Sequence, residues 1–346
     1  MTKDQYYINR CFELARRGRG GASPNPIVGA VIVHGDRIIG EGYHQKYGEA
    51  HAEVNAVKDA KVNGYEHLLA KSTIYVSLEP CCFHGNTPAC TDLIKQHQIP
   101  RVVISALDVT PKVNGKGIEL LRTAGVEVMT GVLKKEGEAV VEERAIFVRK
   151  KRPYVILKYA QSSDGYFGKE NEQVWISNRF SKRLVHKWRG EVDAILIGTN
   201  TAAVDNPALT NRLFYGKSPK RIVLDQHDRL SKNLQIFDGK IPTFVVSKEK
   251  LQHPNIQHIQ HPFDTHLLPD LLTHLHQQKI GSLLVEGGRR LLDNFMQQNL
   301  WDEARVLIGS KELKNGIPAP TLTTKLAEQY ELYGDLVKIY RNESPK

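Results

Sequence analysis

Between His51 and Cys90 the chain gathers residue types that can hold and use a metal ion. His51-Ala52-Glu53 comes first, then Glu79-Pro80-Cys81-Cys82-Phe83-His84-Gly85-Asn86-Thr87-Pro88-Ala89-Cys90. A histidine nitrogen and two thiolates make three protein ligands, the number that leaves a catalytic zinc one position for water; structural zinc sites fill all four. A carboxylate not needed as a ligand then has chemistry to do. Zinc lowers the pKa of its bound water towards neutrality, and Glu53 can take that proton and deliver it to a departing amine, the general acid/base role.

H-x-E followed by P-C-x-x-C is the pattern of zinc deaminases. Here eight residues separate Cys81 from Cys90, and Cys82 stands beside the first, so the ligand pair has to be chosen. Adjacent cysteines rarely place both sulfurs on one tetrahedral ion without strain, which favours Cys81, directly after the proline, and Cys90. His51 and Glu53 lie roughly 200° apart on a helix and would diverge in its middle. They therefore belong to a first helical turn that faces a site at the helix end. A thiolate near Pro80 gains in the same way if the Cys81 segment opens a helix, because helix N-termini depress thiol pKa values. The bland alternative is a structural zinc site or unmetallated buried cysteines, and neither has a use for Glu53.

The elements that position these residues must come from a chain of 346 residues, long enough for about two domains. Lys and Arg outnumber Asp and Glu by ten (48 against 38), which favours anionic partners: phosphorylated small molecules, dinucleotides or nucleic acid. Four cysteines, three of them in one motif, argue for a reducing compartment and against a disulfide scaffold. The N-terminus lacks the apolar core of a signal peptide and no apolar run is long enough to span a bilayer, so a cytoplasmic protein is expected.

Thr2-x-x-Gln5 reads as a capping box for a helix that buries Tyr7, Cys11, Leu14 and Ala15. The glycine- and proline-rich stretch from Arg17 to Pro26 must be loop, and its Asn25 offers a donor and an acceptor to a base edge. Ile27 to Val33 and Arg37 to Gly42 read as a hairpin around His34-Gly35-Asp36, with His44 just beyond. Thr73 to Leu78 and Arg101 to Ala106 are buried strands with helical stretches between them, the alternation of an α/β domain.

The similarity then reaches past the zinc motif. Ser23-Pro24-Asn25-Pro26-x-Val28-Gly29, Gly42-Tyr43-His44, His51-Ala52-Glu53, Glu79-Pro80-Cys81 and His84-Gly85-x-Thr87-Pro88-x-Cys90 resemble the deaminase half of the bifunctional riboflavin-biosynthesis deaminase/reductase. In that family the wide step between the cysteines is the normal one. The resemblance implies a cytidine-deaminase-like α/β domain over residues 1–147, with Asn25, His44 and His84 binding a pyrimidine ribotide.

Lys134 to Val148 is a charged helical stretch, and Arg149-Lys150-Lys151-Arg152-Pro153 reads as a solvated boundary rather than a nucleic-acid patch. Beyond it the hydrophobic pattern restarts. Tyr154 to Lys158, Ala194 to Gly198, Arg221 to Asp225, Thr243 to Ser247 and Ser282 to Val285 are short apolar strands of parallel-sheet character. A second α/β domain is therefore expected over residues 148–346. Val285-Glu286-Gly287-Gly288 runs from strand through a glycine turn into a helix, an arrangement that can approach phosphates, although it is not a G-x-G-x-x-G fingerprint. Lys248 and Lys250 follow a strand and read as solvated lysines, with a dinucleotide phosphate as the less favoured use. His253, His258, His261 and His266 lack metal-ligand spacing and read as surface loop, and from Glu312 onwards strand and loop are expected.

Lys158-x-Ala160-x-Ser162-x-Asp164-Gly165, Trp175-Ile176-Ser177, Arg189, Gly198-x-x-Thr201-x-x-x-Asp205-Asn206-Pro207-x-Leu209-Thr210-x-Arg212 and Glu286-Gly287-Gly288 resemble the reductase half of the same family. The resemblance implies a dihydrofolate-reductase-like domain using NADPH. Ala160, Trp175, Thr201, Asp205 and Gly288 would contact that cofactor; Lys158, Gln173, Arg189, Leu209, Arg212 and Glu286 would hold the substrate, with Lys158 or Asp205 biasing a proton towards the sugar oxygen. Two arginines suit a phosphate monoester. The leading reading is thus a zinc- and NADPH-dependent bifunctional enzyme acting on a phosphorylated pyrimidine, a homo-oligomer by family resemblance. Its competitors are a deaminase with an RNA-binding arm, which the strand-rich second half disfavours, and a non-enzymatic metal-binding protein, which Glu53 disfavours.

Overall fold

The computed structural model describes residues 1–85, 88–170, 172–250 and 256–342. The chain forms two compact units, Met1–Lys151 and Arg152–Lys346. This division falls a few residues after the boundary expected at 147/148, which lies inside a helix.

The first unit runs α1 (Lys3–Arg16), β1 (Gly29–His34), β2 (Arg37–Tyr43), α2 (Ala52–Val62), β3 (Thr73–Leu78), α3 (Cys90–Gln96), β4 (Arg101–Ala106), α4 (Lys116–Thr123), β5 (Glu127–Thr130), α5 (Lys134–Val140) and α6 (Glu142–Arg149). The expected capping box is present, Thr2 accepting from the Gln5 amide and Gln5 accepting from Thr2. The single charged helix expected over Lys134 to Val148 is broken in two at Val141. The sheet order is β2-β1-β3-β4-β5, with β1 antiparallel to β2 and β3, and β3, β4 and β5 parallel.

Side chains alternate across this sheet, as a period of two demands. Ala30, Ile32, Ile74, Val76, Val102 and Ile104 pack under α2, α3 and α4. Val31, Val33, Tyr75 and Val103 face α1 and α5 on the other side. The approach of α2 to β2 depends on missing side chains: a Cβ on Gly42 would stand 2.4 Å from the Ala52 carbonyl oxygen and from the Ala56 nitrogen. The glycines of β2 therefore set where α2 begins.

The second unit runs β6 (Tyr154–Gln161), β7 (Tyr166–Gly168), α7 (Arg179–Glu191), β8 (Ala194–Gly198), α8 (Thr199–Asp205), β9 (Lys220–Leu224), β10 (Thr243–Ser247), β11 (Ile256–Gln260), α9 (Leu267–Gln277), β12 (Ser282–Val285), α10 (Arg289–Gln297), β13 (Glu303–Ile308), β14 (Ile317–Pro318), β15 (Leu326–Leu332) and β16 (Asp335–Arg341). Its main sheet has the order β11-β10-β9-β8-β12-β6-β13-β16-β15, parallel from β11 to β13 and closed by the antiparallel β16 and β15. Leucines of α9 and α10 cover one face, and Val185 and Trp188 of α7 cover the other. The expected solvated boundary is only partly that. Arg152 is buried, with Nη1 and Nη2 donating to the two carboxylate oxygens of Asp302 at 2.6 and 2.8 Å; Asp302 also accepts from the Val155 amide at 2.9 Å. A buried charge is tolerable because it is paired and hydrogen-bonded.

Gly42→Ala is expected to destabilise the protein by about 1–3 kcal/mol, the usual cost of overpacking, and to lower zinc retention by displacing the start of α2. Urea unfolding and metal analysis after dialysis would check both, and unchanged retention would count against the glycine's positional role.

Candidate active site and metal centre

His51 is the N-cap of α2, and Glu53 stands in its first turn, as their two-residue spacing requires. Cys90 is the first residue of α3. Cys81 does not open a helix; its sulfur instead accepts the Cys90 amide N–H at 3.3 Å and so faces the start of α3. The ring nitrogen Nδ1 of His51 lies 3.5 Å from Cys81 Sγ and 3.4 Å from Cys90 Sγ, and the three ligand atoms lie within 4.8 Å of one another. Zn–S bonds of about 2.3 Å and Zn–N bonds of about 2.0–2.1 Å put N and S about 3.5–3.6 Å apart at tetrahedral angles. The donors therefore fit zinc. Cys82 Sγ turns away and approaches the Lys112 carbonyl at 3.4 Å.

The two sulfurs both face His51 Nδ1, so each feels the other's charge. The neighbouring Cys81 and burial push the Cys90 thiol up, while Cys90 and His51 lower Cys81. The Cys81 hydrogen bond in turn raises His51. Glu53 is only 3% exposed, and burial raises its carboxyl. Glu79, immediately before Pro80, is a clamp: its carboxylate accepts the backbone amides of Asp108, Gly115 and Gly117 at 3.3, 3.0 and 3.1 Å. It ties the end of β3 to the loop after β4.

A cavity of about 240 Å3 opens on His51, Glu53 and Cys81. Asn25 and His44 line it as well, joined by a 3.2 Å hydrogen bond between Nδ2 and Nε2, and His44 Nδ1 faces the Ala50 carbonyl at 3.1 Å. Burial lowers the His44 pKa. His84 stands apart from them: it is outside the cavity lining, its side chain is 73% exposed, and its Nε2 lies 3.5 Å from Asp92. The reading missed Tyr47, Phe83 and Arg144, which also line the cavity. Arg144 belongs to a charged helix whose sequence resembles any solvated face, so no local signal marks it.

In the second unit Lys158, Arg189 and Glu286 meet just past the carboxyl end of β12. Leu157 of β6 and Leu196 of β8 both pair with Val285 of β12, so Lys158 and Glu286 emerge side by side. Arg189, in the last turn of α7, closes on Glu286 through two hydrogen bonds of 2.9 and 2.8 Å, while Lys158 Nζ lies 3.6 Å from the same carboxylate. Burial alone would raise the Glu286 carboxyl; Arg189 and Lys158 overcome it and hold it at about 2. His186, which the sequence reading missed, accepts the Arg212 backbone amide at 3.1 Å; burial and the neighbouring arginines lower its pKa to about 4. Arg212 Nη1 donates to Thr210 Oγ1 at 3.2 Å. Partial burial raises Asp205, with Lys158 opposing.

Gly288 caps α10, and a Cβ there would stand 3.4 Å from Thr201 Oγ1, so an open backbone turn and a helix N-terminus adjoin a hydroxyl. That surface fits the phosphates of a dinucleotide. Trp175 is 58% exposed, with the Lys182 ammonium 4.5 Å from its ring centre. Ala160 lies further along β6, Leu209 is buried with φ of 53°, and Gln173 is exposed. Lys248 donates its amide to the Gln226 carbonyl at 3.2 Å, after β10, and Lys250 lies close enough to lower His258. His258 and His261 have partners of their own, Ser247 and Asp270, and among the described residues His51, Cys81 and Cys90 form the one metal-ligand cluster. His253 lies outside the described residues.

A three-donor zinc centre with a spare buried carboxylate, followed by a parallel sheet with an ionised cluster at its strand ends, makes this a two-domain enzyme whose first half is a zinc deaminase. The family model for the "cytidine and deoxycytidylate deaminase zinc-binding region" matches residues 1–106, and that for the "RibD C-terminal domain" matches residues 153–327. The riboflavin biosynthesis protein RibD of Aquifex aeolicus is 36% identical over 94% of this chain and 92% of its own length. That of Escherichia coli is 34% identical over 90% and 89%. A crystal structure of a diaminohydroxyphosphoribosylaminopyrimidine deaminase/5-amino-6-(5-phosphoribosylamino)uracil reductase from Thermotoga maritima superposes with a TM-score of 0.90 at 33% identity, covering 98% of both chains. The chain belongs to the RibD family, the bifunctional deaminase/reductases of riboflavin biosynthesis.

Two measurements test this geometry. Cys82→Ser should keep one zinc per chain by elemental analysis, whereas Cys81→Ser and Cys90→Ser should lose it; retention by Cys81→Ser with loss by Cys82→Ser would reverse the ligand assignment. For Glu286 the folded pKa lies below the unfolded one, about 4.3, so its ionisation stabilises above that value, and the stabilisation is lost as pH falls through about 2. Glu286→Gln should therefore cost about 3 kcal/mol at neutral pH. The gap from the parent should shrink by more than half at pH 3 in denaturant titrations; an undiminished gap there would sink the ionic account.

Proposed function

We propose that the first unit removes the 2-amino group of 2,5-diamino-6-(5-phosphoribosylamino)pyrimidin-4-one as ammonia. The second unit then reduces the ribosyl side chain to ribityl, giving 5-amino-6-(5-phosphoribitylamino)uracil. The observation that carries this reading is the convergence of His51, Cys81 and Cys90 beside the buried Glu53. The substrate itself is supported by what the Thermotoga enzyme is described as acting on.

In this reading His51, Cys81 and Cys90 would hold zinc, which would make water acidic enough to be deprotonated near neutral pH. Glu53 carries the proton. Its carboxylate takes one from water and delivers it to the amine, so that water's oxygen replaces nitrogen on the ring and ammonia leaves. Asn25 and His44 orient the pyrimidine by hydrogen bonds along one wall of the cavity. Arg144 and the remaining lining residues enclose it. His84 binds substrate only if its exposed loop turns inward.

Ala160, Trp175, Thr201, Asp205 and the Gly288 turn would hold NADPH, which would supply a hydride to the ribose side chain. Arg189 and Arg212 present cationic groups to the substrate, with Arg189 steered by Glu286, and the family resemblance adds Gln173 and Leu209 as substrate contacts. Lys158 and Asp205 are the two groups placed to move the proton to the sugar oxygen. The four free thiols support a reducing cytoplasm as its location. A homo-oligomer follows from the family resemblance alone.

Mass spectrometry of the ribotide incubated with protein should show ammonia loss without NADPH, and a further gain of two hydrogens only when NADPH is present. Glu53→Gln should keep zinc, abolish the first change and spare reduction of the deaminated ribotide. Full ammonia release by that variant would remove Glu53 from the mechanism.

A further inference from the structure

The cavity of the first unit contains a charge that the chemistry above leaves unused. Arg144, from α6, lines it and is the one permanent cation among the described lining residues, which otherwise include the carboxyl groups of Glu49, Glu53, Glu79 and Asp108. Glu79 spends its oxygens on backbone amides, and Asp108 accepts the Thr110 amide at 2.7 Å. Arg144 has only neutral hydrogen-bond partners. Nη1 donates to the Pro24 carbonyl at 3.1 Å and Nη2 to Thr110 Oγ1 at 3.3 Å, while Nε is shut off from solvent with no acceptor at all.

A guanidinium offers five N–H donors and carries its charge at any physiological pH. Leaving it half-buried without a carboxylate in hydrogen-bonding contact is costly unless an anion completes it. Burial lowers the Arg144 pKa and works against the charged form, and the Asp108 charge opposes it without a hydrogen bond; a bound anion would add to that opposition. Two hydrogen bonds, to the carbonyl beside Asn25 and to the loop after β4, hold the side chain in the cavity wall rather than in solvent.

Arg144 also comes from outside the general deaminase segment, which ends at residue 106. A group added beyond the common catalytic frame reads a feature of the particular substrate. If the substrate is the pyrimidine ribotide proposed above, on which this inference rests, its formal charge sits on the 5′-phosphate. We infer that Arg144 binds the phosphate of the ribotide in the deaminase cavity and makes this deaminase selective for phosphorylated substrate. Asn25 and His44, neutral and joined to each other, are left to meet the base.

The test compares deamination of the ribotide with that of its dephosphorylated riboside. Arg144→Gln should raise KM for the ribotide about 30-fold or more relative to any change for the riboside, the scale set by loss of a buried charge-assisted contact. Ribose 5-phosphate should inhibit the parent deaminase competitively and the variant much less. Zinc content, and reduction of the deaminated ribotide, report that the variant is folded. Should Arg144→Gln misfold, Arg144→Lys keeps charge without the fork and must show the same preference in weakened form. Equal losses on ribotide and riboside, or none on either, would overturn the assignment while leaving the deaminase reading intact. A parent protein that releases ammonia from neither substrate would overturn that reading itself, and this inference with it.

Discussion

The first unit is organised by the need to bring one nitrogen and two sulfurs within 4.8 Å of each other beyond the end of the central strand β3. Two of the donors stand at helix starts, His51 capping α2 and Cys90 opening α3, and the third is held by an amide of α3. Helix N-termini carry unpaired amides and a partial positive charge, which favours a thiolate over a thiol. The glycines of β2 and the Glu79 clamp bring the supporting backbone close enough. Zinc binding is therefore a property of the layer packing as much as of the ligands.

The second unit depends on a different economy of charge. Glu286 is a buried anion that would be intolerable alone, and it survives as a carboxylate because Arg189 and Lys158 surround it. The same contacts fix where those two cations point. An apolar residue at position 286 would remove one buried charge and leave two unpaired. The cluster thus places positive groups at the strand ends while limiting their number in excess of negative ones.

The two sites treat positive charge in contrasting ways. In the reductase unit every cation of the buried cluster is matched by Glu286 or stands at the solvent edge, as Arg212 does. In the deaminase cavity Arg144 has no carboxylate in hydrogen-bonding contact; it bonds a carbonyl and a hydroxyl, with the Asp108 charge acting from further off. The net charge of +10 thus includes one cation set in the wall of a cavity whose other charged lining residues are acidic.

Much of this was legible in the sequence because the relevant signals are local. His51, Glu53, Cys81 and Cys90 carry their chemistry in their types, and the two-residue step between the first two requires a helix start. The strands at Thr73–Leu78 and Arg101–Ala106 end where the hydrophobic pattern says they end, since a buried strand cannot change face without exposing its core side. Sterics disfavoured Cys82 as a ligand without settling its role. Other features needed the fold. Which residue opens a helix, Cys81 or Cys90, depends on how the loop between them closes. Arg152 reads as one more charge in a basic run until Asp302, 150 positions away, meets it. Neither Arg144 nor His186 carries a local signal of its role, and only packing turned one into a cavity and the other against Arg212. Sequence determined the chemistry available and the local elements, because residue type and periodicity act over a few positions. Tertiary structure decided which charges are buried and which are left unpaired, because burial and pairing are properties of residues distant in the chain.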